Sequence, residues 1–231
     1  MGTMISYTRP DGQSASGYLA EPANATGAPG VVIIQEWWGL NDQIRGVADR
    51  VAAAGFRALV PDLYRGQSTV EAEEASHLMG ALDFAQAASQ DVRGAVQCLK
   101  AGGSSKVGVT GYCMGGALTL LTLTMSPEVD AGVVWYGYPP LDFVDASQIK
   151  APVLAHWAEQ DNPFPIAGVD ALEAKLRDAG VRYAGHRYLA QHGFANETAQ
   201  GPRRLPITQF DAAWAQMAWD RSFAFFGQHL R

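Results

Sequence analysis

The stretch from Lys106 to Met125 limits the folding options of this 231-residue chain more than any other. Lys106–Thr110 reads as a short strand, and Cys113–Met125 as a nearly all-apolar helix. A helix without a polar face has to be buried on every side. Layers of sheet and further helices packed around it meet that need. Strand and helix are joined by Gly111-Tyr112-Cys113-Met114-Gly115-Gly116, a turn so tight that small residues must flank its central side chain.

The rest of the chain supplies those layers. Ile5–Tyr7 and Ser16–Leu19 flank Arg9-Pro10-Asp11-Gly12, turn chemistry that predicts an N-terminal β-hairpin. Val31–Ile34 is the continuous apolar run of a parallel strand covered on both faces. Ile44, Val47, Ala48 and Val51 then fall at helical spacing, with a stop at Gly55, and a strand follows at Arg57–Val60. Glu71–Ala101 reads as two helices. After the apolar helix come strands at Ala131–Tyr136 and Pro152–Trp157, and a helix carrying Val169, Leu172, Leu176 and Ala179 that stops at Gly180. A last strand at Tyr183–Leu189 and a closing helix at Phe210–Phe226 complete the alternation. This pattern predicts an α/β fold, an open and mostly parallel sheet with helices on both faces, built as one domain over residues 1–231.

The glycine turn is the nucleophile-elbow pattern with cysteine in the position of the serine. It aims the Cys113 sulfur out at the carboxyl edge of the sheet, over a helix N-terminus whose dipole and free N–H groups favour a thiolate. The Met114 N–H is positioned to hold a developing oxyanion. Cys98, beside Val92, Val96 and Leu99 on a helix with no such turn, reads as packing.

Behind an elbow of this kind the acid and then the histidine follow in chain order. Asp161 follows the strand Pro152–Trp157 through Ala158-Glu159-Gln160, with Glu159 as the competing acid. His192 follows Tyr183–Leu189 in the loop Ala190-Gln191-His192-Gly193-Phe194. Imidazole can exchange a proton with sulfur near neutral pH, and an aspartate behind it fixes its tautomer. His156, inside a strand, reads as a satisfied core residue, and His77, His186 and His229 have no strand-end setting. Glu36 closes the strand Val31–Ile34 ahead of Trp37-Trp38-Gly39. A carboxylate so placed needs a partner. It is either half of a structural ion pair with Arg45 or Arg65, or a group that helps to set the protonation of the thiol. The Trp37 N–H is the second candidate oxyanion donor.

Composition narrows the alternatives. A net charge of −6 argues against a general nucleic-acid binder, which needs a basic face. Two cysteines make no disulfide framework and fit a reducing, cytoplasmic location. Five scattered histidines show no metal spacing, so neither metal nor cofactor is expected. No apolar run is long enough to span a membrane, and no secretory leader is legible. Met1-Gly2-Thr3-Met4-Ile5-Ser6 fits the myristoylation pattern, a motif short enough to arise by chance. The expected partner is a small-molecule ester or lactone.

Taken together these residues resemble the dienelactone hydrolase family of α/β-hydrolases. The resemblance runs through Gln35-Glu36, Pro61-Asp62-Leu63-Tyr64, the cysteine elbow, Asp161 and His192-Gly193-Phe194. It implies ester or lactone hydrolysis through a Cys113 thioester, with His192 and Asp161 completing a triad and Glu36 taking the thiol proton when substrate arrives. Trp38, Tyr64, Met79, Phe194 and Asn196 are the expected pocket residues. The chain departs from the family at the substrate carboxylate. Asn196 stands where one family arginine would be, and Ala72-Glu73-Glu74 where the other would be, with Arg203 and Arg204 as the nearest substitutes. A general carboxylesterase or thioesterase is the rival within the class, and a silent binding module of the same fold the rival outside it.

Overall fold

The structure, a computed structural model, describes residues 2–202 and 204–231, so Met1 and Arg203 lie outside the described residues. Eight strands form among the described residues: β1 (Thr3–Thr8), β2 (Ser14–Ala20), β3 (Gly30–Ile34), β4 (Arg57–Pro61), β5 (Val107–Tyr112), β6 (Ala131–Trp135), β7 (Val153–Ala158) and β8 (Tyr183–Tyr188). They join in one sheet in the order β1-β2-β4-β3-β5-β6-β7-β8. β1 and β2 are the expected hairpin, its turn closed by the Gly12 N–H on the Arg9 carbonyl (2.9 Å). β2 runs antiparallel to β4, and from β4 to β8 every pairing is parallel.

Alternation within β3 shows how the layers are held. Val31 and Ile33 pack with Ile44, Val47, Ala48 and Val51 of α1 (Asp42–Ala53) and with Ala218, Trp219 and Phe226 of α7 (Ala212–Leu230). Val32 and Ile34 face the opposite layer. That layer holds α2 (Ala72–Ala81), α3 (Phe84–Gln86), α4 (Arg93–Ala101), α5 (Met114–Met125) and α6 (Ile166–Asp178). α5 is buried along most of its length, as its composition demands. No helix of the described residues is long and apolar enough to cross a membrane.

The segment Glu71–Ala101 differs from the expected helix pair. After a break at Leu82, the Asp83 carboxylate accepts from the Gln86 N–H and restarts a helical run through α3, a π turn at Ala87–Val92, and α4. The π turn places Asp91 against the hairpin. Its carbonyl accepts from Tyr7 Oη (2.9 Å), and its carboxylate pairs with Arg65 (2.8 Å) and Arg9 (3.4 Å).

β4 and β5 leave β3 on opposite sides, so a crevice opens at the carboxyl edge where strand order reverses. Glu36, just past β3, and Cys113, just past β5, flank it.

His156, on β7, is the satisfied core residue expected from its position. Ser222 Oγ donates to the Ala218 carbonyl, so it accepts from His156 Nε2 (2.9 Å), and His156 Nδ1 accepts from Tyr188 Oη (2.9 Å). Both ring nitrogens are thus engaged in the neutral form. Burial, with the charges of His186 and Arg221, holds the His156 pKa well below the usual imidazole range. Below about pH 6.5 the unfolded chain therefore binds a proton that the fold refuses, and stability falls with pH at up to ~1.4 kcal/mol per unit. Denaturant melts between pH 7.5 and 5 should show that decline. His156→Gln should flatten it while lowering stability at neutral pH. Identical slopes for the two proteins would contradict the assignment.

Candidate active site

The elbow is built by exclusion of side chains. Cys113 sits at φ 54° and ψ −116°, a conformation that costs a residue with a Cβ of order 1–3 kcal/mol. A Cβ on Gly111 would lie 2.1 Å from the Gly115 carbonyl oxygen, one on Gly115 2.4 Å from that of Ile34, and one on Gly116 2.7 Å from that of Trp135. A fourth glycine, Gly137 beyond β6, is equally obligatory, since its Cβ would fall 1.9 Å from the Cys113 oxygen. Backbone bonds hold the turn: the Cys113 N–H donates to Trp135 O (3.0 Å), and Cys113 O accepts from the Gly116 (2.9 Å) and Ala117 (3.2 Å) N–H groups.

His192 and Asp161 meet as their strand-end positions suggest. His192 Nδ1 and Asp161 Oδ2 are 2.7 Å apart, with both side chains buried. The other Asp161 oxygen accepts from the Phe164 N–H (2.8 Å), so the carboxylate is gripped from both sides. Phe164 stacks on the His192 ring, and Tyr136 meets it edge-on. Glu159, the competing acid, is exposed and has no such contact. Burial drives the His192 pKa down. The charge of the neighbouring Cys113 sulfur and hydrogen bonds to Asp161 and to that sulfur outweigh it, leaving the pKa well above the usual imidazole range.

Glu36 is buried, and its partners are not the expected arginines. Arg45 pairs with Asp42 and Arg65 with Asp91. Glu36 accepts instead from Asn196 Nδ2 (2.5 Å) and Tyr136 Oη (3.3 Å). Asn196 is itself locked, its Oδ1 accepting from the Thr198 N–H (2.9 Å) and Oγ1 (2.7 Å). Burial without a cationic side chain in contact raises the Glu36 pKa, against the lowering effects of His192, Asn196 and Tyr136. Tyr136 holds its place at a positive φ of 37°. Tyr136, Gly137 and Phe164 are site residues that sequence reasoning missed. The run Tyr136-Gly137-Tyr138 directly after an apolar strand was the available signal for the first two.

A cavity of about 1370 Å³ opens over these groups. Cys113, His192, Glu36, Trp37 and Met114 all line it, as do the expected pocket residues Trp38, Met79 and Asn196. Tyr64 and Phe194 do not. Tyr64 is packed beneath the elbow with its hydroxyl on the Met114 sulfur (3.3 Å), and Phe194 is fully buried among Trp135, Tyr136 and Tyr188. Arg204 reaches the cavity wall, but its Nη1 donates to the carbonyls of Leu205, Pro206 and Thr208. Among the described residues no three His, Cys, Asp or Glu side chains come together to hold a metal ion.

Comparison with known proteins agrees with this geometry. The model of the dienelactone hydrolase family matches residues 15–230. Protein usf of Aquifex pyrophilus is 33% identical, with both chains covered in full. A Methylorubrum extorquens protein named "putative carboxymethylenebutenolidase" is 34% identical over 81% of this chain and 74% of its own. Among solved structures, a dienelactone hydrolase-like promiscuous phosphotriesterase from metagenomic libraries superposes with a TM-score of 0.86. It is 25% identical, over 100% of this chain and 99% of its own. An elbow, an acid and a histidine brought together on this sheet, in a chain matched nearly end to end by the family model, make it a member of the dienelactone hydrolase family.

Proposed function

We propose that this chain works as one α/β-hydrolase domain that cleaves a carboxylic ester or lactone through a thioester on Cys113, with His192 as proton carrier and Asp161 as its orienting carboxylate. The observation that carries the reading is the 2.7 Å Asp161–His192 pair beside a cysteine held in a strained elbow at a helix N-terminus.

In the resting pair the sulfur is a thiolate and His192 an imidazolium. Sulfur attacks the carbonyl carbon and the C–S bond forms. The carbonyl oxygen takes the negative charge between the N–H groups of Trp37 and Met114. On collapse the ester C–O bond breaks and His192 gives its proton to the departing oxygen, which in a lactone stays tethered to the acyl chain. Acylation also cancels the sulfur charge, a major cause that keeps the His192 pKa high, so the neutral imidazole persists and can act as a base. Water then loses a proton to His192 as its oxygen bonds the carbonyl carbon. The C–S bond breaks, and the thiolate–imidazolium pair is restored with release of the acid. Glu36 serves beside this cycle: with Asn196 and Tyr136 already bonded to it, its carboxyl group braces the pocket wall next to His192 rather than the sulfur itself.

The same contacts bear on substrate. A substrate carboxylate loses hydration in a partly dry pocket, and guanidinium groups normally offset that loss. Here the Asn196 amide is engaged by Glu36 and Thr198, and Arg204 by backbone carbonyls. A neutral ester is therefore the better substrate.

Three outcomes are expected. Cys113→Ala should lower kcat/KM on an activated ester by at least ~10³-fold, while Cys98→Ala leaves it nearly intact; equal losses in two folded variants would sink the assignment. His192→Ala should cost several orders of magnitude in kcat and Asp161→Asn less, and a Glu159→Gln loss larger than that of Asp161→Asn would mean the wrong acid was chosen. For one lactone compared as methyl ester and free acid, the methyl ester should have the higher kcat/KM. A tenfold preference for the acid, ~1.4 kcal/mol, would show that a cation serves the pocket after all.

A further inference from the structure

We infer that the acyl half of the substrate is a long apolar chain lying along α5, away from Cys113. This deepens the reading of Cys113 as nucleophile and rests on it. The helix that starts at the elbow lines the cavity with Ala117, Leu121 and Met125, at successive four-residue steps from Cys113. At 1.5 Å per residue this wall extends about 18 Å from the nucleophile. Met79, Phe84 and Ala85, from α2 and α3, also line the cavity, and Pro140 and Phe143 come from the loop after β6. The charged lining residues Glu36, Asp42, Glu71 and Arg204 come from the segments after β3, β4 and β8, and none lies on α5 or on the loop after β6. An acyl chain bound to the sulfur can therefore follow the apolar face of α5.

Two further observations point to a chain rather than a small ring. The cavity, about 1370 Å³, exceeds the ~300–1,000 Å³ usual for small-molecule sites, so a short acyl group would leave most of its apolar wall wet. Large apolar side chains are also exposed around it: Val70 (81%), Phe143 (66%) and Ile207 (39%) are three of the six such residues among those described, and all three line this cavity. Exposed apolar side chains gathered at one opening mark a surface that a ligand covers. With ~1.5 Å C–C bonds an extended chain advances about 1.3 Å per methylene, so roughly fourteen carbons would span the whole wall of this arm and eight to twelve much of it. Cavity lining by an apolar helix face was not legible beforehand, because a helix apolar all round does not announce which face meets a void.

The test is a chain-length profile. Across p-nitrophenyl acetate, butyrate, octanoate and dodecanoate, each methylene that becomes buried is worth up to about fourfold in kcat/KM. Octanoate should exceed butyrate by at least tenfold. Of the isomers ethyl octanoate and octyl acetate, the octanoate should be cleaved faster. Leu121→Trp, which fills the middle of the arm, should lower the octanoate-to-acetate ratio at least tenfold. Met125→Trp, at the far end, where it is less buried, should depress dodecanoate more than octanoate. A profile that declines beyond butyrate, a preference for octyl acetate, or unchanged ratios in folded variants would each overturn the inference. Binding of 2-undecanone, a neutral ketone, to the Cys113→Ala protein judges the groove without turnover. If Leu121→Trp in that background weakens its Kd at least tenfold the groove stands, and if it does not the groove fails. Absence of hydrolysis of every ester would count against Cys113 as nucleophile, leaving the ketone result to decide the groove alone.

Discussion

Everything at the carboxyl edge of the sheet depends on one strained residue. Cys113 can hold φ 54° only because carbonyl groups of β3, β6 and α5 close in on glycines that present no Cβ to them. That packing gives three results at once. It turns the chain from β5 into α5 without a connecting loop, and it lifts the sulfur clear of the sheet. It also sets the sulfur over the first free N–H groups of a buried helix. Relaxing any one of the four glycines would move the Cys113 sulfur, the Met114 N–H and the cavity wall together. Strain of this sort persists only where the surroundings over-determine it.

Charge is distributed around that point with few partners to spare. His192 lies between the Cys113 sulfur and the doubly held Asp161 carboxylate, and its high pKa is a consequence of both. Glu36 feels the charge of the same histidine and is held by neutral donors. An arginine in place of Asn196 would make Glu36 a firm anion. The amide leaves a carboxyl group whose pKa burial can raise, and so places less fixed negative charge near His192. The Arg50–Glu197 ion pair (2.6 Å) ties the loop that carries Asn196 to α1. Exposed as it is, it contributes more to the position of that loop than to stability.

The sequence made the layers and the groups that meet at the cavity legible because both follow from local signals. Apolar periodicity located α1 and α6, an unbroken apolar run located α5, and turn residues located the hairpin. A glycine pattern and two strand ends located Cys113, Asp161 and His192. What was not legible depends on contacts between distant segments. Glu36 and Asn196 are 160 residues apart, and only the fold shows that they bond to each other and not to an arginine. Gly137 is required by the oxygen of Cys113, a clash that no local pattern records. Tyr64 and Phe194 sit in motifs of the family resemblance, but they support the elbow and the His192 loop from below and do not face the cavity. The π turn at Ala87–Val92 carries Asp91, whose ion pairs with Arg9 of the hairpin and Arg65 after β4 join distant segments.

The central claim, a covalent acyl group on Cys113, is tested most directly by rapid-quench mass spectrometry of the His192→Ala protein mixed with an activated ester. Without its base the variant should acylate slowly and deacylate more slowly still. One acyl group per chain should then accumulate, located on the peptide that contains Cys113 and released by hydroxylamine as a thioester. An acyl group on any other residue, or steady ester turnover by the wild-type enzyme with no adduct trapped in this variant or in the wild type, would contradict it.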